Sequence, residues 1–89
     1  MKPEQITEAL EVAAGQLGVS VRYETMTGET AGGGGLCKVR GEWRVIIDRR
    51  STPSERAAVL AEALAGFDTE AIFLSPEVRQ AIQRFRDLR

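Results

Sequence analysis

Basic side chains are concentrated in one stretch of the sequence, and they are the groups best suited to bind a charged partner. Residues 36 to 56 carry six basic and three acidic side chains, whereas residues 1 to 35 carry two basic and five acidic ones. A guanidinium donates two parallel hydrogen bonds to a carboxylate or a phosphate. Arginine-rich surfaces also occur simply as hydrated faces, and that interpretation stays open. The partner-binding residues expected from the sequence are Lys38, Arg40, Arg44, Arg49 and Arg50.

Four consecutive glycines are a second candidate site. A glycine-rich turn binds phosphate when it leads from a strand into a helix N-terminus, where backbone N–H groups point at the anion. Here the glycines lie between two segments with strand patterns, outside any phosphate-binding motif of the G-x-x-x-x-G-K-[ST] type. The sequence therefore predicts a flexible hairpin loop, because glycine adopts unusual backbone angles at little steric cost. Its residues are Gly32, Gly33, Gly34 and Gly35.

Histidine is absent from the chain, and cysteine occurs once. Without histidine there is no Ser–His or Cys–His nucleophile pair, and the commonest acid–base group and transition-metal ligand is missing. One cysteine cannot supply the ligands that a zinc site needs. We therefore expect no catalytic residue, no metal site and no cofactor.

The remaining reactive or aromatic side chains fit structural positions. Cys37 is followed by a lysine that points to the opposite face of its strand, so the thiol is expected to be a small buried hydrophobe. Glu62 falls on the polar side of its helix, which favours a hydrated glutamate over an acid–base pair with Asp48. A nucleic-acid surface would expose several aromatics beside its cations, but all five aromatics fit core stripes or anchor positions. They are Tyr23, Trp43, Phe67, Phe73 and Phe85.

The length of 89 residues fits a single domain, residues 1–89. A net charge of −1 argues against a dedicated nucleic-acid-binding protein, which carries a basic excess. The sequence has no long apolar run, and its first ten residues lack the apolar region of a signal peptide. We therefore expect a protein of the cytoplasm without a membrane partner.

Three helices are predicted from apolar periodicity and from their capping residues. The first covers residues 4–17, and Gly18 follows it where a left-handed C-terminal cap is expected. The second begins after Thr52, which forms a T-x-x-E capping box with Glu55. Ser75 is expected to cap the third helix.

Three strands are predicted between the first two helices. The alternating residues 19–24 predict the first, and the sequences LCKVR and EWRVIID on either side of Gly41 predict the other two. If a three-residue turn lies on residues 39–41, or one residue later, one face of this hairpin is buried and Arg44 lies on the outer face. That inner face consists of Cys37, Val39, Trp43, Val45 and Ile47. Residues 69–74 are extended, and the sequence does not decide whether they form an edge strand.

The order of these elements is helix, three strands, helix, helix. Consecutive strands with short links favour an antiparallel meander, and such a sheet commonly has one covered and one polar face. The sequence therefore predicts an α+β fold of two layers, with helices on one face of a three-stranded antiparallel meander.

Two resemblances concern residues 41–64, with the sequence GEWRVIIDRRSTPSERAAVLAEAL. The stretch resembles small uncharacterised bacterial proteins, with a strand ending in I-D-R, an S/T-P-x-E cap and an L-A-E-A-L helix. It is also similar to the strand–loop–helix of the ImmA/IrrE-type zinc peptidases, whose helix reads A-H-E-x-x-H. Glu62 matches the general base of that motif, but Ala61 and Ala65 occupy both histidine places. The second resemblance therefore implies at most a distant inactive relative.

These observations favour a small non-catalytic binding or interaction module. Its basic hairpin face would contact a protein, a second copy of the chain included. The alternative is an anion- or nucleotide-binding protein, an enzyme included, that uses Gly32 to Gly35 as a lid.

Overall fold

The computed structural model describes residues 1–25 and 34–88. Within them the chain forms three helices and three strands, and the predicted α+β class is confirmed. The helices are α1 (Pro3–Gln16), α2 (Pro53–Leu64) and α3 (Pro76–Asp87). The strands are β1 (Ser20–Glu24), β2 (Gly34–Val39) and β3 (Glu42–Asp48). Residues 69–74 contain a turn and no strand.

The sheet is mixed, and its strand order is β1-β3-β2. β1 runs parallel to β3, whereas β2 runs antiparallel to β3. The predicted antiparallel meander is therefore wrong, because it would place β2 between the other two strands. β3 takes the central position because its Val45 and Ile47 are fully buried in the core. β1 carries Arg22 and Glu24, and charged side chains of this kind suit an edge strand.

A two-residue turn sets the register of the β2–β3 hairpin. Arg40 and Gly41 have positive φ angles of 52° and 84°, and they join the paired residues Val39 and Glu42. Positive φ at both central positions is the geometry of a type I′ turn, whose twist matches that of the flanking strands. The turn is thus one residue shorter than predicted.

The shorter turn reverses the faces predicted for β2. Leu36 pairs with the buried Val45 and so shares its face, while Cys37 pairs with Arg44 on the other face and is half-buried. The predicted inward positions of Cys37 and Val39 are therefore wrong. The physical reason is that a change of one residue in a hairpin loop turns every side chain of a strand to the other face.

α1 and α2 pack against each other and against the sheet, and α3 packs against both helices. Apolar side chains from all three helices and from β3 form one cluster. Burying a side chain as large as leucine stabilises a fold by about 1.5–3 kcal/mol. The largest fully buried side chains are Leu10, Val45, Ile47, Leu60, Leu64, Val78 and Ile82.

The end of α1 is closed by a glycine cap, as predicted. Gly18 has a φ of 78°, a left-handed conformation that glycine adopts without strain. Its N–H donates to the carbonyl of Gly15 at 3.1 Å, and the N–H of Val19 donates to the carbonyl of Ala14 at 2.8 Å. These are the two hydrogen bonds of a Schellman motif, and they direct the chain from α1 into β1.

The start of α2 has the predicted capping box, whereas α3 begins differently. The N–H of Glu55 donates to the Thr52 hydroxyl at 3.2 Å, and the N–H of Thr52 donates to the Glu55 carboxylate at 2.8 Å. Ser75 occupies the N-cap position of α3, but its side chain makes no capping hydrogen bond. Its hydroxyl instead donates to the sulfur of Met1 at 3.6 Å. The predicted side-chain cap of α3 is therefore wrong.

Arg86 of α3 holds the segment that follows α2. Its guanidinium donates to the carbonyl oxygens of Ala65 and Phe67, at 3.2 and 2.8 Å, and to the Thr69 hydroxyl at 3.2 Å. Carbonyls at a helix C-terminus lack partners within the helix. Arg86 therefore satisfies the end of α2 and fixes the segment that leads towards α3.

Gly34 and Gly35 belong to β2, where they pair with β3. The prediction that they lie in a loop is corrected accordingly, while Gly32 and Gly33 lie outside the described residues. Gly34 has a φ of 124°, and a Cβ atom added there would lie 1.8 Å from the carbonyl oxygen of Ile46. Only glycine fits so close an approach of two main chains.

We expect Thr52→Ala to lower the free energy of unfolding by about 1 kcal/mol, because it removes the capping acceptor of α2. Ser54→Ala, two residues further along, is the matched control, since Ser54 is exposed. It should change the free energy by less than about 0.5 kcal/mol. Urea denaturation followed by circular dichroism measures both. An unchanged midpoint for Thr52→Ala would show that its hydroxyl does not support the helix.

We expect Gly34→Ala to destabilise the fold by about 3 kcal/mol or more, since it adds backbone strain to a clash with main-chain atoms. Gly35→Ala is the control, because its Cβ would meet nothing within 4 Å. Its cost should stay within about 0.5 kcal/mol. Thermal and urea denaturation of both variants gives the comparison, and equal stabilities would contradict the close approach at Gly34.

Candidate functional site

The five basic residues predicted to bind a partner do not form one surface. Lys38 lies on the face of the sheet that bears the buried β3 side chains, and Arg44 lies on the other face. Arg40 lies in the hairpin turn. Arg49 and Arg50 follow the far end of β3, about 25 Å along the strand from the turn at roughly 3.3 Å per residue.

Arg49 and Arg50 make contacts within the chain. The guanidinium of Arg49 donates to the carbonyl of Tyr23 at 3.1 Å, and its N–H donates to the carbonyl of Glu24 at 2.8 Å. Arg50 forms an ion pair with Asp48 at 3.1 Å. The hydrogen bonds from Arg50 hold the pKa of the Asp48 carboxyl below its ordinary value. Both arginines therefore stabilise the connection from β3 to α2.

Trp43, predicted as core, is 38% exposed. Its ring meets that of Phe67 edge to face, with centres 5.7 Å apart and planes at 86°. The ammonium nitrogen of Lys38 lies 5.1 Å from its centre. At this distance the lysine makes a cation–π contact with the ring.

A polar pocket of about 220 Å³ lies where α1, β1 and the start of α2 meet. Glu4, Glu8 and Glu11 line it from α1, and their spacing places them on one side of the helix. Tyr23 of β1 and Arg56 of α2 line it from the opposite wall. The pocket thus combines three carboxylates with one phenol and one guanidinium.

Tyr23 joins these elements through its hydroxyl and its ring. The hydroxyl donates to the carboxylate of Glu11, and the guanidinium carbon of Arg56 lies 4.7 Å from the ring centre. Arg56 also donates to the carbonyl of Arg49 at 2.8 Å. Burial, and then the hydrogen bond to Glu11, raise the pKa of Tyr23 to about 12. Because such a phenol keeps its proton at neutral pH, Tyr23 acts as a hydrogen-bond donor and not as a base.

An apolar groove of about 350 Å³ lies between α1 and the segment that leads into α3. Three of its side chains are largely exposed: Phe73 at 85%, Val12 at 61% and Met1 at 51%. Ala13 and Val78 also line it and are buried. The groove therefore has an apolar interior and an apolar rim.

Phe73 was expected to be a core or anchor residue, and its 85% exposure shows that this prediction is wrong. Its segment is nevertheless anchored, since Leu74 is 6% exposed and Thr69 is 3% exposed. The N–H of Ile72 also donates to the carbonyl of Thr69 at 3.3 Å. No helical or alternating pattern covers residues 69–74, so the sequence held no signal for the direction of this ring.

A second groove, of about 440 Å³, lies among the three helices. Ala57 and Ala61 of α2 line it, and their small side chains leave space between Ile6 and Phe85. Leu88 at its end is 80% exposed. This groove is apolar as well, but it has no exposed aromatic side chain comparable to Phe73.

The residues that correspond to the zinc-peptidase motif cannot bind a metal ion. Ala61 and Ala65 are buried, and Glu62 is exposed on α2 as predicted. Among residues 1–25 and 34–88, no group of three or more Cys, Asp or Glu side chains is arranged so that it could hold a metal ion. Comparisons with protein-family models, curated proteins and solved structures find no match. Both resemblances therefore stay predictions.

No helix formed by the described residues is long and apolar enough to cross a bilayer.

We expect the ultraviolet titration of the folded protein, which has one tyrosine, to give a midpoint of about 12. In denaturant the midpoint should return to about 10. Because the folded state holds the phenol proton more tightly than the unfolded state, the Tyr23 phenol contributes to the free energy of unfolding. This contribution is complete below about pH 10 and is lost as the pH rises towards 12.

Glu11→Gln is the control for this titration. It should lower the midpoint, because it removes the carboxylate charge beside the phenol, but burial should keep the midpoint above the value in denaturant. A folded-state midpoint near 10 would contradict the arrangement around Tyr23.

Proposed function

We propose that this chain is a non-catalytic protein-interaction module whose contact surface is the apolar groove. The observation that carries the proposal is the 85% exposure of Phe73 on an anchored segment beside the exposed Val12. Aromatic side chains are common anchors of protein interfaces, where they contribute much of the binding energy. Large contiguous apolar patches on a protein surface mark sites that bind proteins, membranes or ligands.

The groove has more support than the basic hairpin face that the sequence favours. Arg49 and Arg50 bond within the chain, and Lys38 and Arg44 lie on different faces of the sheet. A partner could contact only part of this set at once.

The proposal includes the two-layer arrangement of helices over one sheet face and a location in the cytoplasm.

The alternative of an anion- or nucleotide-binding protein with a glycine lid has less support. Gly34 and Gly35 pair with β3, so two of the four glycines belong to the sheet. The chain also has no histidine that could act as a base, and Tyr23 holds its proton. A binding role without catalysis fits these side chains better.

A photo-cross-linking amino acid at position 73 tests the proposal in the native host. We expect a benzophenone side chain there to form a covalent adduct with a partner protein, because the ring is exposed beside the groove. The same group at Gln80 is the control, since that exposed residue lies across α3 from the groove-lining Val78. Gel mobility and mass spectrometry detect the adduct.

A second substitution links the adduct to the groove. Val12→Glu places a charge on an exposed helical position and should reduce the adduct at least about five-fold, since burying an unpaired carboxylate is costly. Circular dichroism checks that the variant is folded. No adduct at position 73, or equal adducts from positions 73 and 80, would contradict the proposal.

A further inference from the structure

β2 lies at one edge of the sheet, and among the described residues it pairs only with β3. Because its hairpin turn has two residues, Val39 and Glu42 beside the turn exchange both of their main-chain hydrogen bonds. In an antiparallel ladder such pairs alternate with pairs that do not bond to each other. Cys37 therefore bonds to β3 as well, whereas the N–H and C=O groups of Leu36 and Lys38 point away from it.

These outward main-chain groups are available to another molecule. Outside the regular helices and strands, no main-chain hydrogen bond between described residues involves Leu36 or Lys38. Each of the two residues has one main-chain donor and one acceptor, so the edge offers four hydrogen bonds. They follow one another at the spacing of a strand, and an extended polypeptide has N–H and C=O groups at the same spacing.

Apolar side chains lie next to this edge. Leu36 is 37% exposed, and Trp43 of β3 is also partly exposed. Both share one face of the sheet with Lys38, because Lys38 pairs with Trp43 and alternate residues of a strand point to the same face. A strand added beside β2 would cover part of Leu36, so it would bury apolar surface as well as form hydrogen bonds.

Lys38 is the only charged side chain of β2. Its ammonium group lies 5.1 Å from the ring centre of Trp43 and forms no ion pair with a described residue. Glu42, the acidic residue of β3 next to the turn, pairs with Val39 and so lies on the other face. A lysine on an edge strand hinders pairing with other chains, but a carboxylate directly opposite stabilises a strand pair. Lys38 therefore favours an acidic partner strand.

We propose that β2 binds an extended segment of a partner protein, which adds a strand to the sheet and carries an acidic side chain opposite Lys38. A second copy of β2 fits this edge less well, because it brings another Lys38 and another Arg40 but no acidic side chain. The inference goes beyond the proposed function, since none of the residues that line the apolar groove belongs to β2.

Amide hydrogen exchange of the free chain, measured by NMR, tests whether the edge is open. We expect the N–H groups of Leu36 and Lys38 to exchange at least about ten-fold faster than those of Cys37 and Val39, which bond to β3. Slow exchange at Leu36 and Lys38 at every protein concentration would show that the chain itself covers the edge. Slow exchange only at high concentration would show that a second copy covers it. Either result would overturn the proposal.

A displayed library of short, linear, randomised peptides supplies candidate strands for a second test. The folded full chain is the target, and Lys38→Pro serves for counter-selection, because proline removes the outward N–H but no bond to β3. Lys38→Gln removes the charge and keeps the N–H. Circular dichroism checks that both variants are folded, and fluorescence anisotropy gives the affinities of the selected peptides.

We expect the selected peptides to be enriched in aspartate and glutamate. Lys38→Gln should weaken their binding roughly five-fold at low salt and about two-fold at high salt, because exposed charge pairs are screened. Lys38→Pro should weaken it at least about ten-fold, since a main-chain hydrogen bond is lost as well. Arg22→Gln removes an exposed cation from β1 at the other edge of the sheet and should leave the affinity within about two-fold.

Methylated peptides test the same pairing without a change in the protein. Alternate residues of a strand point their N–H groups to the same side, and N-methylation removes one such donor. We expect methylation at every second position of a selected peptide to weaken binding at least about ten-fold, and methylation at the positions between to change it by less than about three-fold. Bound peptide should also slow the exchange of the Leu36 and Lys38 amides.

Three results of the peptide tests would overturn the proposal, and they separate it from the proposed function. The absence of any peptide that prefers the chain to Lys38→Pro, or equal effects of methylation at alternate positions, would refute strand addition at β2. Peptides without acidic residues, or insensitive to Lys38→Gln, would refute the chemistry of the partner. Peptides that lose their binding to Phe73→Ala occupy the groove instead, which would support the proposed function and refute binding at this edge.

Discussion

The two-sided pairing of β3 is the constraint on which the rest of this fold depends. Its backbone pairs with β1 on one side and β2 on the other, while Val45 and Ile47 are buried among the helices. α1 enters β1 directly through the glycine cap, so the pairing of β1 also places α1. Only four residues separate the end of β3 from the start of α2 at Pro53, so α2 is placed from the other end of the same strand. The polar pocket and the apolar groove both lie on α1, and their positions follow from this arrangement.

Local signals in the sequence predicted the helices. The features that the sequence did not predict depend on contacts between segments that are far apart in the chain. The capping box at Thr52 acts within one turn, so its residues reveal it directly. The parallel pair formed by Val21 and Val45 joins segments that are far apart in sequence, and no local pattern specifies it. The faces of β2 depended on whether the hairpin turn takes two or three residues, a choice that Arg40 did not signal because few residues other than glycine adopt a positive φ. The groove was missed because the direction of the Phe73 ring is set by the anchored turn before α3.

Several arginines of this chain bond to main-chain groups of the chain itself. Arg49, Arg56 and Arg86 each donate to main-chain carbonyls of another segment. A guanidinium has several donors in a fixed plane and is suited to satisfying carbonyl groups at element ends. Within the basic stretch of residues 36–56, Arg49 and Arg56 therefore use guanidinium donors for bonds inside the chain. Charge counts reveal where cations occur in a sequence, but only the structure shows which of them have their donors already occupied.

The three hydrogen bonds of Arg86 have a consequence for how the chain resists unfolding. They join positions 17, 19 and 21 residues apart, and so they close a loop that contains the whole connection between α2 and α3. Small proteins often close loops of this kind with a disulfide, which restricts the unfolded chain. With a single cysteine, this protein cannot form an internal disulfide. Arg86 is instead a non-covalent cross-link that exists only in the folded state, and reducing conditions do not break it.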